Sequence, residues 1–143
     1  MSQTIEQQRA AYALQEIHRL AETDVKRSEL RSYSSALPAM IHTNGLGQAL
    51  AFCRAKGQGN SGTAYRKLYR LLSGWLTQDG QPLASLEAAG ERDALTQLTR
   101  VDLEHYRVAQ VEALALMEWV RKFAIAFLVD PEPDPQAEGG AGQ

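Results

Sequence analysis

Cysteine is almost missing from this chain: Cys53 stands alone among 143 residues. That excludes an internal disulfide and, with no signal peptide at the start, points to a reducing, cytoplasmic setting. Histidine is scarce as well. His18, His42 and His105, with Cys53, match no metal-ligand spacing, so neither a metal nor a cofactor is expected. No apolar run reaches the roughly 18 residues of a membrane span. The nearest, 113–129, is interrupted by Glu118, Arg121 and Lys122. The alternating pattern of a half-buried strand is absent too, which leaves an all-α reading.

The most informative absence is of acid. From Leu30 to Gln78 there is no Asp or Glu, where the chain's average would place about six. The same 49 residues carry Arg31, Arg54, Lys56, Arg66, Lys67 and Arg70. A chain of net charge −2 therefore contains a positive segment. Arg66, Lys67 and Arg70 share one face of a helix without an intrahelical acid partner. A solvated polar face or a polyanion would each account for them.

What is present is helical periodicity. Residues 4–22 place Ala10, Ala13, Leu14, Ile17, Leu20 and Ala21 on one stripe, with Thr4 as N-cap and Gln7 and Gln8 as a weak capping box. Tyr12 lies off that stripe, as a half-exposed residue or a subunit contact. A second helix spans about 25–43 with Leu30, Tyr33, Leu37, Met40 and Ile41 inward. Pro38 should kink it, with Ser34 or Ser35 near the freed carbonyl. Asn44-Gly45 then favours a positive-φ corner. A short helix follows, about 46–56, with Leu46, Ala49, Leu50 and Cys53 inward, stopping at Gly57. Ser61 or Thr63 should cap the next, about 63–77. Residues 83–99 suggest one or two short helices broken near Gly90. Asp102 should cap the longest helix, about 103–128, whose circumference is nearly two-thirds apolar and which belongs at the bundle centre. Residues 130–143, rich in Pro, Gly and acid, form an expected disordered tail behind a single domain of 1–129.

Two patterns suggest chemistry and fall short of it. Gly57 and Gly62 have the spacing of a phosphate loop, but Thr63 stands where its lysine belongs and no strand precedes it. Glu112 and His105 share the apolar side of the last helix. An acid–base pair is one reading. A structural pair, with an arginine from the second helix, is favoured because a buried carboxylate must be neutralised or bonded.

The strings Leu37-Pro38-Ala39-Met40-Ile41, Thr43-Asn44-Gly45-Leu46-Gly47-Gln48-Ala49-Leu50-Ala51-Phe52 and Ala55-Lys56 carry a family resemblance, supported by Tyr106-Arg107, Glu112-Ala113-Leu114, Trp119 and Lys122-Phe123-Ala124. Over residues 5–128 the chain resembles the small subunit of the Cmr effector complex, the type III-B CRISPR machine that targets RNA under RNA guidance. The resemblance implies a non-enzymatic, antiviral subunit. It would stack in several copies along guide and target RNA, against repeated backbone subunits and neighbouring copies of itself, with no membrane partner.

The combined expectation is a bundle of five to seven helices around the 103–128 helix and a bent 25–56 segment. Its cations would meet RNA phosphates, which position without reading sequence. Charge clustering ranks Arg66, Lys67 and Arg70 first, then Arg54, Lys56, Arg31 and Arg27, with Arg107 and Lys122 weaker. A scaffold that binds acidic protein partners without touching RNA is the alternative.

Overall fold

Six α-helices and one 3-10 turn make up the regular structure of the residues described, 2–84 and 93–129, in a computed structural model of the chain. In order they are α1 (Ile5–Ala21), α2 (Arg27–Asn44), α3 (Leu46–Lys56), the 3-10 turn Asn60–Gly62, α4 (Thr63–Leu76), α5 (Ala94–Leu98) and α6 (Leu103–Phe127). No strand occurs among the described residues. The expected break near Gly90 and the tail 130–143 lie outside them.

The helix starts follow local chemistry. Thr4 Oγ1 accepts the Gln7 amide at 3.1 Å while Gln7 Oε1 accepts the Thr4 amide at 2.8 Å, a complete capping box rather than a weak one. Asp102 accepts the His105 amide at 2.9 Å and opens α6. Gly45, at φ 87° and ψ 160°, ends α2 and begins α3, so one residue makes the corner. That backbone conformation is open only to glycine.

α1 and α2 lie along α6, and α3 and α4 close the other end of the bundle with α5. Buried side chains from all six helices form one core. Ala13 and Ile17 of α1, Leu30, Leu37 and Ile41 of α2, and Leu68, Leu72 and Leu76 of α4 meet Ala113, Leu116, Met117 and Val120 of α6 within it.

Several expectations are corrected here. Ser34, expected to help satisfy the carbonyl freed by Pro38 inside α2, is fully buried and its hydroxyl finds no partner among the described residues. Neither Ser61 nor Thr63 caps α4. Gly62 holds that position, because a Cβ there would stand 2.1 Å from the Lys56 carbonyl oxygen. Tyr12 is half-exposed, as one of its two readings had it, and it also packs inward. Its hydroxyl donates to the Leu71 carbonyl at 2.7 Å and its ring tilts against Trp75 at 5.0 Å. α6 is not enclosed: Leu103 (65 %), Val108 (50 %) and Val111 (66 %) stand exposed on its N-terminal half.

Candidate nucleic-acid interface

α3 and α4 are joined by the six-residue loop 57–62, which folds back so tightly that Gly57 and Gly62 leave no room for side chains against Cys53, Arg66 and Lys56. This hairpin brings the end of α3 beside the first two turns of α4. Between them is a concavity of about 480 Å³ whose lining includes Arg54 of α3, Gly57, Arg66, Tyr69 and Arg70 of α4, and Asp93.

The cations around it differ in how much they are already engaged. Arg66 Nη1 donates to the Gly57 and Gly59 carbonyls at 3.1 and 3.4 Å, and Nη2 to Thr63 Oγ1 at 3.2 Å. It clamps the loop and is half-buried. Arg54 makes one ion pair, with Asp93 at 3.2 Å, and lies over the Tyr69 ring at 5.2 Å. Arg70 is exposed, and Lys67, half-buried on the same helix, does not line the concavity; neither has a hydrogen bond or ion pair among the described residues. Three guanidiniums thus face one carboxylate.

Asp93 is fixed independently of Arg54. It caps α5 by accepting the Thr96 amide at 3.1 Å and the Thr96 hydroxyl at 3.0 Å, and it also accepts the Tyr69 hydroxyl. Burial works to raise its pKa. The hydrogen bonds from Tyr69 and Thr96, with the Arg54 charge, outweigh that and hold the carboxyl below its usual range. Burial, reinforced by the bond to Asp93, pushes the Tyr69 phenol up to about 12.

The other basic residues lie elsewhere. Lys56 stands 5.8 Å over the Phe52 ring, on an aromatic cluster in which Phe52 meets Tyr65 edge-on and Tyr65 stacks on Tyr33 at 3.9 Å. Arg27 donates to the carbonyls of Val129 (3.1 Å) and Ala21 (3.0 Å), and Arg31 to that of Leu128. These two secure the ends of α1 and α6, where carbonyls lack intrahelical partners, and they do not join the concavity.

Glu112 and His105 separate. Both border a groove of about 970 Å³ beside the α6 N-terminus, but they stand two turns apart, about 10 Å along the axis. Glu112, 7 % exposed, accepts Arg9 Nε at 3.1 Å, a close contact from Arg9 Nη2, and Trp75 Nε1 at 2.9 Å. Exposed His105 pairs with its own N-cap, Asp102, at 2.8 Å. Glu112 is therefore a structural anchor. Its arginine comes from α1, not from the second helix, because α1 packs along α6 at that height.

Sequence comparison decides the affiliation. The model of the family described as CRISPR-associated protein (Cas_Cmr5) matches residues 5–127. The chain belongs to the Cmr5 family. An X-ray crystal structure of a CRISPR-associated Cmr5 family protein from Thermus thermophilus shares the fold, with a TM-score of 0.69 and 27 % identity over 90 % of this chain and 100 % of that one. Cmr5 proteins are small subunits of the type III-B Cmr complex, so other subunits of that complex are the chain's partners. No helix among the described residues is long and apolar enough to cross a membrane.

The two strings that carry the resemblance meet in space. Gln110 Oε1 accepts the Leu46 amide and Tyr106 Oη accepts the Gly47 amide, each at 2.9 Å, so α6 caps α3. The Cmr5 signature is in this respect a packing device. Sequence reasoning gave Asp93 no role. The Asp93-Ala94-Leu95-Thr96 pattern of a capped helix start was the available signal.

Proposed function

We propose that the chain is a non-catalytic, cytoplasmic small subunit of the Cmr RNA-guided antiviral complex that holds guide and target RNA by their phosphates. Arg54, Arg66, Lys67 and Arg70 supply the contact, and Lys56 extends it along the aromatic side. Backbone subunits and neighbouring copies of the chain set the position of this surface along the RNA. The observation that carries the reading is the convergence of Arg54, Arg66 and Arg70 on one concavity with a single carboxylate among its described lining. A surface of this kind suits a subunit that need not read bases, since the guide supplies the sequence information and phosphate contacts are sequence-independent.

Each phosphate contact to a single strand contributes about 0.7 to the slope of log affinity against log salt. Replacing Lys67 and Arg70 by alanine should weaken binding of a single-stranded RNA and flatten that slope by about 1.4. Arg66 is left in place because it holds the loop. A slope equal to the unmodified protein's rejects the surface as an RNA contact.

The scaffold reading has its own support in the exposed Leu103, Val108 and Val111 of α6, a strip suited to a protein partner. Co-purification with the backbone subunit after RNase treatment separates the two. Assembly that survives RNase but is lost in the Lys67/Arg70 variant favours a scaffold whose cations meet acidic protein.

A further inference from the structure

We propose that Asp93 is a built-in competitor for phosphate at this concavity: without RNA it occupies Arg54, and an arriving phosphodiester takes Arg54 from it. The inference rests on reading the concavity as a phosphate site and concerns how that site is regulated.

The two partners depend on each other unequally. Asp93 keeps three donors without Arg54: the Tyr69 hydroxyl, the Thr96 amide and the Thr96 hydroxyl. It stays in place when Arg54 departs. Arg54 has one ion pair, of 3.2 Å, with its side chain 57 % exposed, and its stacking on the Tyr69 ring does not depend on Asp93. Such an exposed ion pair is weakly held and screened by water. A phosphodiester presents two oxygens to the guanidinium fork, the stronger arrangement. The exchange needs little movement, because Arg54 already lies over the Tyr69 ring and both line the concavity.

The arrangement has two consequences. In the free protein Asp93 offsets the mutual repulsion of Arg54, Arg66 and Arg70. An incoming anion must also work against the Asp93 charge, so a lone anion gains little. A chain of phosphates that engages Lys67 and Arg70 at the same time gains enough to displace it. Asp93 therefore lowers affinity and biases the site toward extended nucleic acid.

Asp93→Asn removes the charge and keeps a side-chain oxygen that caps α5. Asp93→Ser is a second variant with the same property, and thermal melts confirm that each is folded. With a fluorescent oligouridine in about 50 mM salt, both should bind roughly three- to tenfold tighter than the unmodified protein. In an Arg54→Ala background the same substitutions should gain less than about twofold, because the residue they release is gone. Unchanged affinity in Asp93→Asn, with weakened binding in the Lys67/Arg70 double variant, overturns the competitor and leaves the phosphate site standing. Unchanged affinity in both overturns the phosphate site, and this inference with it. Should both Asp93 variants unfold, the Arg54 Nε–H resonance of the unmodified protein decides the matter: movement on addition of oligouridine supports the exchange, and a stationary signal refutes it.

Discussion

Glu112 accepts three donors from two helices, and its surroundings decide what removing it costs. Arg9 is 14 % and Glu112 9 % exposed at the side chain, and Trp75 Nε1 completes the set. Deleting one partner of a buried pair leaves the other charge without compensation, which outweighs the modest net value of the pair itself. Glu112→Ala should therefore destabilise the protein by about 3 kcal/mol. Arg9 would retain only exposed Glu6, and the Trp75 indole nitrogen would lose its acceptor. Glu112→Gln keeps an oxygen for one donor and should cost about half as much. Urea unfolding of both variants gives the order; equal costs would mean that shape rather than charge matters here. The need for a partner to Glu112 was legible in the sequence, since a carboxylate stood on an apolar face. Its identity was not, because Arg9 lies 103 positions away and only the packing of α1 on α6 brings it there. The same applies to Arg27 and Arg31. A cation chosen by charge clustering looks available, but chain-end carbonyls are invisible to a count of charges.

Helix boundaries were the most legible features, for reasons that are local. Thr4, Asp102 and Gly45 act within a few residues of themselves, and α3 begins and ends where the glycines indicate. The start of α4 fell where expected, but its N-cap was misjudged because the loop is shaped by the neighbouring carbonyl of Lys56, a contact between elements. The exposed strip of α6 escaped notice for a related reason: periodicity shows which residues are apolar and not how many sides have neighbours. The α2–α3 corner permits a sharp test at this level. Gly45→Ala would force an alanine to φ 87° and ψ 160°, at a cost of about 2 kcal/mol. Tyr106→Phe leaves the ring and removes the acceptor of the Gly47 amide, for about 1 kcal/mol. Both should be read from denaturation midpoints. If the corner acts only as a packing joint, neither variant should change the salt slope of RNA binding, whereas Gly62→Ala, which displaces the loop that Arg66 clamps, should change it.

For the whole molecule, the shifted groups combine into a stability profile with pH. On the acid side the Glu6 carboxyl is lowered by its hydrogen bonds from Trp119 and Arg9. Asp102 is lowered by those from the His105 amide and ring, and Asp93 by the bonds already described. A carboxyl whose pKa is lower in the folded state contributes stability above its unfolded pKa, about 4, and loses it as pH falls through the folded value. On the alkaline side burial raises the Cys53 thiol to about 11 and the Tyr69 phenol to about 12, and raises Tyr12 and Tyr65 as well. The folded state holds these protons more tightly. Their contribution is complete below the unfolded values, about 8.5 for the thiol and 10 for the phenols, and is lost as pH rises through the folded ones. Stability should therefore be flat from about pH 5 to about pH 8.5, and fall on both sides. Asp93→Asn connects this profile to the basic concavity. Without the carboxylate Tyr69 loses one of the two main causes of its shift, so its ionisation, followed by ultraviolet absorbance, should begin at lower pH. An unaltered tyrosine titration in that variant would mean that burial alone sets the phenol, and that Asp93 is less firmly held by Tyr69 than an exchange of Arg54 from carboxylate to phosphate requires.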